Sequence, residues 1–149
     1  MPIYFAFGSN MDTAQMAHRC PGARTLGRGT LADHRLVFRG PSRKRGGGVL
    51  SVDVHQGEQI EGVLYEVTEH HLQTLDRYEG APEWYVRAAR EVIDAKGATH
   101  EVVIYRLPIH VTEMPPTEAY LQQVADAFDA HGLSRAPLQD ANTRALSAG

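Results

Sequence analysis

Ile3-Tyr4-Phe5-Ala6-Phe7-Gly8-Ser9-Asn10-Met11-Asp12-Thr13-Ala14-Gln15 decides the reading of this chain. Its first five residues form an unbroken apolar and aromatic run, which predicts a short buried strand. The run stops at Gly8-Ser9-Asn10. Asp12, with Gln15 three residues on, then marks a helix start, and the helix is expected over 13–20 before Pro21-Gly22 ends it. A turn placed between a strand end and a helix start leaves several backbone N–H groups pointing one way, at the positive end of a helix dipole. Such a nest holds a carboxylate or a phosphate. The same residues also read as an ordinary strand-to-helix turn, in which Gly8 supplies a positive φ and Ser9 or Asn10 caps the helix. A P-loop is excluded because no Gly-Lys-Ser/Thr follows, and the spacing around Ser9 is not that of a nucleophile elbow.

Working outward, two short strands are expected over 24–31 and 35–38. The loop-forming stretch Gly40-Pro41-Ser42-Arg43-Lys44-Arg45-Gly46-Gly47-Gly48 follows. Residues 49–55 alternate as a half-buried strand, Gln56-Gly57-Glu58 reads as a turn, and 60–67 as its return, so 49–67 is expected to be a hairpin. Thr68 caps a helix over 69–77. Strands over 84–93 and 99–107 flank the turn at Lys96-Gly97, and Thr117 caps a last helix over 118–131. Hairpin-linked strands clustered mid-chain predict an α+β fold, a mixed or antiparallel barrel-like sheet rather than a doubly wound one. Residues 1–133 are expected to form a single domain and 134–149, small and polar, a mobile tail.

Composition narrows the function. Of 149 residues, 42% are apolar and 22% charged, which is globular rather than disordered. Cys20 is the single cysteine, so neither an internal disulfide nor a four-cysteine zinc site can form. No apolar run approaches the roughly 20 residues of a membrane span, and the N-terminus has no signal-peptide pattern. A net charge of −3 argues against a broad nucleic-acid surface. A cytoplasmic protein with no membrane and no nucleic-acid partner is therefore expected. The eight histidines show no H-x-x-x-H pair, and no metal or other cofactor is expected.

A second constellation is Leu75-Asp76-Arg77-Tyr78-Glu79-Gly80. Glu79 closes a helix, where the dipole repels negative charge, and Gly80 follows it as a C-terminal cap. If buried there, Glu79 is a general acid or base with a raised pKa; if solvated, it is an ordinary helix-end carboxylate. Asp76 is its competitor for the role. Arg43-Lys44-Arg45 reads as a solvated loop or as the mouth of a pocket for an acidic ligand.

These two segments together resemble the γ-glutamylcyclotransferases. Tyr4-Phe5-Ala6-Phe7-Gly8-Ser9-Asn10-Met11 is similar to their Y-F-A-Y-G-S-N signature. Leu75-Asp76-Arg77-Tyr78-Glu79-Gly80 with Tyr85 is similar to their L-D-x-x-E-G segment and the tyrosine after it, over roughly residues 3–120. The chain departs from the signature at Phe7, where the family carries a tyrosine. The resemblance implies a small, mostly antiparallel β-barrel flanked by helices, with Glu79 as catalytic acid/base. It implies a small-molecule γ-glutamyl substrate held by Phe7, Gly8, Ser9, Asn10 and Met11, with Tyr85 and, by a looser match after Pro115-Pro116, Tyr120. The implied reaction forms 5-oxoproline and frees an amine, without metal or other cofactor. Two other functions compete: a binding protein that keeps the pocket without turnover, and a hydrolase using Ser9.

Overall fold

The strand that carries the deciding segment, β1 (Ile3–Ala6), is also the seam of the fold. In the computed structural model, which describes residues 1–148, β1 pairs antiparallel with β3 (Val49–Glu66) on one side and parallel with β5 (Thr99–Arg106) on the other. With β2 (Arg24–Arg39) and β4 (Val86–Asp94) the five strands close a barrel in the order β1-β3-β2-β4-β5. The closing contacts are short: β1 meets β5 at one pair and β2 meets β4 at Gly29 opposite Asp94 and Thr30 opposite Ile93. The β1–β5 pair, Tyr4 opposite Val103, is the parallel one, so the barrel is mixed and otherwise antiparallel. Phe5, Leu36, Phe38, Leu50, Leu64 and Ile104 are among the side chains that fill the core.

The expected hairpin over 49–67 is not formed. β2 and β3 run unbroken and pair with each other from Arg24 opposite Glu66 to Arg39 opposite Val49, so the chain reverses in the loop of residues 40–48. The turn chemistry at Gln56-Gly57-Glu58 serves a bulge instead. Gly57 has φ 89°, Asp33 across from it has φ 59°, and the Gly57 N–H donates to Asp33 Oδ1 at 3.0 Å. Register shifts between Ala32 and His34 there, and the long ribbon bends around the barrel.

Four helices pack outside: α1 (Thr13–Arg19), α2 (Glu69–Glu79), α3 (Glu118–Ala130) and α4 (Ala136–Ala148). Asp12 Oδ1 accepts from the N–H groups of Ala14 and Gln15 as the α1 cap, and Thr68 caps α2. The entry to α3 is pinned by backbone. Gly48 N–H donates to Pro115 O at 3.0 Å and Met114 N–H to Phe38 O at 3.1 Å, and a Cβ on Gly48 would overlap the Met114 carbonyl.

The segment expected as a mobile tail is instead α4, with Gly149 outside the described residues. Leu138, Ala141 and Ala145 recur on one helical face, are buried, and lie against β2. Arg144 Nη2 donates to Leu36 O at 2.7 Å, and Arg135 reaches back to Asp129. Two of the three buried side chains are alanines, which is why composition alone reads as a tail. Leu138→Ala is expected to cost about 2–5 kcal/mol in chemical denaturation. A mobile tail would leave the midpoint unchanged.

Candidate active site

β1 delivers its C-terminal end to the space between α1, α2 and α3. There Ser9–Met11 form a 3-10 turn held from three sides. Tyr65 Oη donates to Asn10 O at 2.9 Å, His131 Nε2 to Met11 O at 2.7 Å, and Gln15 Nε2 to both Ser9 Oγ and Asn10 Oδ1 at 2.9 Å. Gln15 therefore looks inward to the turn rather than closing a capping box on Asp12. Gly8 has φ −123°, so its glycine is not needed for a positive φ. A Cβ there would make ordinary contacts, 3.5 Å from the Tyr120 hydroxyl and 3.6 Å from Leu50 Cβ, so Gly8 brings the backbone close to both without a clash deciding it. The N–H groups of Gly8, Ser9 and Asn10 have no acceptor among the described residues.

Glu79 ends α2, and Gly80 takes the left-handed conformation, φ 65°, that releases the chain from the helix. Its side chain keeps 14% of its surface. Asn10 Nδ2 bridges it to β1, donating to Glu79 Oε1 at 3.3 Å and to Tyr4 Oη at 3.0 Å. Arg19, at the end of α1, lies 3.7 Å from the same carboxylate oxygen and donates to Asn10 Oδ1 at 3.1 Å. Burial pushes the Glu79 carboxyl above its ordinary range. Arg19, Lys44 and Arg45, with the Asn10 hydrogen bond, pull it back only in part.

Two connected spaces open around this carboxyl. An inner chamber of about 30 Å³ is walled by Phe7, Gly8, Ser9 and Asn10 on one side and Tyr85 and Tyr120 on the other. At that volume it has room for about one small polar group. An outer cavity of about 710 Å³ shares Ser9, Glu79, Tyr85 and Tyr120 with it and opens past the 43–45 loop. The two tyrosines clamp one residue in opposite senses. Tyr85 Oη donates to Leu50 O at 2.7 Å, whereas Tyr120 Oη accepts from Leu50 N at 3.1 Å. The Tyr85 proton is thus committed, and the Tyr120 proton has no acceptor among the described residues. Burial holds both phenols protonated, with Tyr120 raised to about 12.

The structure therefore gathers Phe7, Gly8, Ser9, Asn10, Glu79, Tyr85 and Tyr120 at one chamber. Met11 is the exception: its side chain is wholly buried in the core and faces neither space, because the 3-10 turn rotates it inward. Asp76 does not compete with Glu79. Burial alone would raise it, but hydrogen bonds from Arg87 and Tyr105 outweigh that and hold it below the usual carboxylate range. Arg43, Lys44 and Arg45 line the outer cavity, and Arg43 and Lys44 are at the same time exposed, so the loop is both solvated and at the pocket mouth. Sequence reasoning did not find Arg19 or Gln15; each is one helical side chain whose reach across to Asn10 has no local signature.

Residues 4–123 match the model of the family described as Gamma-glutamyl cyclotransferase, AIG2-like. The chain belongs to that family. Among relatives, it is 26% identical to the gamma-glutamylcyclotransferase of Bos taurus and 31% identical to that of Mus musculus. In each case the match runs over 136 residues, 88% of this chain and 72% of the relative. A solved gamma-glutamyl cyclotransferase structure superposes with a TM-score of 0.84 at 24% identity, over 99% of this chain and 88% of that one, which establishes the shared fold. The matched stretch of the γ-glutamyl cyclotransferase family takes in the whole chamber, from Tyr4 to Tyr120, and leaves α4 outside it.

The buried carboxyl of this family member has a measurable thermodynamic signature. Because the folded-state pKa of Glu79 lies above its ordinary 4.5, the folded chain keeps a proton that the unfolded chain releases as pH rises. Stability from this group is full below 4.5 and is lost as pH rises through the folded-state value. Glu79→Gln is therefore expected to melt above wild type near neutral pH, with the difference vanishing at acid pH. A Tm at or below wild type near neutrality would contradict the assignment of a desolvated carboxyl.

Proposed function

We propose that this protein is a γ-glutamyl cyclotransferase that releases 5-oxoproline and a free amine from a small γ-glutamyl amide. The observation that carries the reading is Glu79. It is a desolvated carboxyl at the junction of an inner chamber with free N–H donors and an outer cavity roomy enough for a substrate. The substrate α-carboxylate sits on the N–H groups of Gly8, Ser9 and Asn10. Its α-ammonium gives a proton to the Glu79 carboxylate, and the freed amine attacks the γ-carbonyl carbon to close a five-membered ring. The oxyanion is met by the Tyr120 hydroxyl, whose proton is uncommitted. Glu79 then passes its proton to the leaving nitrogen, the C–N bond breaks, and the regenerated carboxylate takes the second proton from the ring nitrogen and hands it to the released amine, so that 5-oxoproline departs as the lactam and the amine as its ammonium ion. Nucleophile and electrophile belong to one molecule, and a pocket that bends it supplies an effective molarity of about 10⁵–10⁸ M. A pKa lifted toward neutrality suits a group that must accept and return the same proton.

Both competing readings fare worse. The Ser9 hydroxyl accepts from the Gln15 amide, which is no base, and among the described residues no histidine or carboxylate hydrogen-bonds it. A protein that only binds an acidic ligand is weakened by a buried carboxylate beside it. With no disulfide available to the single cysteine, we also place the reaction in the cytoplasm.

Incubated with γ-glutamyl-alanine, glutathione, a γ-glutamyl-lysine isopeptide and a γ-glutamyl alkylamide, wild type is expected to release 5-oxoproline from at least one. Glu79→Gln should lower turnover on that substrate by about 10²–10⁴-fold. On the acid side kcat/KM should fall through a pKa above 4.5. Ser9→Ala should raise KM and spare kcat, whereas Tyr120→Phe should lower kcat by about 10²–10³-fold. Undiminished turnover in Glu79→Gln would overturn the mechanism.

A further inference from the structure

Five cationic side chains, Arg19, Arg43, Lys44, Arg45 and Arg77, and only two carboxylates, Glu79 and Glu83, line the outer cavity. That is an excess of three positive charges on one wall of a chain whose net charge is −3. Arg19 is matched by Glu79. Arg43, Lys44, Arg45 and Arg77 make no ion pair with any carboxylate among the described residues, unlike Arg35, Arg87 and Arg135 elsewhere on the surface.

Arg77 donates within its own helix, to Thr74 Oγ1 at 3.3 Å, and Lys44 and Arg45 are held across elements. Arg45 donates to Gln123 Oε1 at 3.1 Å and to Gln15 Oε1 at 3.4 Å, and its guanidinium lies 5.2 Å from the centre of the Tyr120 ring. Lys44 Nζ donates to Tyr78 O at 3.3 Å and lies 4.7 Å from the centre of the Tyr78 ring, which Arg19 also approaches, at 4.5 Å. Burial and then the neighbouring Arg19 lower the Lys44 pKa, and Glu79 offsets them only in part.

On the cyclotransferase reading, the γ-glutamyl half of the substrate is a zwitterion of no net charge and occupies the inner end. The unmatched cations therefore face the amine half. We propose that the amine half carries two or more negative charges, as a dicarboxylate or a phosphate, and that Arg43, Lys44, Arg45 and Arg77 determine this specificity. A cationic amine half would meet like charge across the cavity mouth, and a neutral one would leave the preset guanidinium and ammonium groups without a partner.

The test compares kcat/KM at low and high salt for five γ-glutamyl amides. Their amine halves are glutamate, phosphoethanolamine, alanine, propylamine and cadaverine. At low salt each added negative charge is expected to raise kcat/KM about fivefold, through KM, with cadaverine slowest. High salt should compress the series. The glutamate and phosphoethanolamine arms separate the two anion sources. In Lys44→Gln and in Arg43→Gln/Arg77→Gln, the glutamate-to-propylamine ratio should shrink. That ratio is read on a single preparation, so any loss of folded protein cancels. Equal rates across the series, or cadaverine fastest, would overturn the inference and leave the cyclotransferase reading intact. No 5-oxoproline from any arm would overturn both.

Discussion

Asn10 is the residue on which the site's geometry depends. Its side-chain amide donates to Tyr4 on β1 and to Glu79 at the end of α2, its side-chain oxygen accepts from Gln15 and Arg19 on α1, and its main-chain carbonyl accepts from Tyr65 on β3. It is 3% exposed, so every one of these groups is held largely out of water and each lost bond would leave a buried polar atom unmatched. Through this one side chain, the strand that closes the barrel sets the position of the carboxyl that faces the chamber. A change on any of the four elements is felt at Glu79 by way of Asn10.

The electrostatics are graded from inside to outside. At the chamber, desolvation prevails and the Glu79 carboxyl stays above its ordinary range despite three nearby cations. Toward the mouth, the cations are half-exposed or exposed and outnumber the carboxylates. A charge is therefore screened more at the mouth than at the chamber. The chamber and the mouth are thus different dielectric environments joined around one carboxyl.

What could be read from the sequence follows how local each signal is. The turn at Gly8-Ser9-Asn10, the end of α2 at Glu79-Gly80 and the cap at Asp12 are short motifs whose meaning is complete within a few residues, and the structure brings the first two together. Gln56-Gly57-Glu58 carries the chemistry of a chain reversal. Whether it reverses the chain or bulges it depends on Asp33, far away in sequence, and here it bulges. α4 escapes because alanines at helical spacing bury well yet look like a tail by composition. Arg19 and Gln15 escape because a long polar side chain on a helix points to no partner until the barrel places Asn10 beside it. Met11 errs the other way: it lies inside a binding motif, but the turn gives its side chain to the core.

The parallel contact between Tyr4 and Val103 also sets an order of assembly. β1 leaves the ribosome first, yet its antiparallel partner ends at Glu66 and its parallel partner begins only at Thr99. Closing so long a loop is a late and entropically costly event, and the barrel seam must wait for it. Tyr120 arrives later still. β1 can pair with β3 before β5 exists, but the chamber around Gly8-Ser9-Asn10 is enclosed only once β5 has paired and α3 has brought Tyr120 to it.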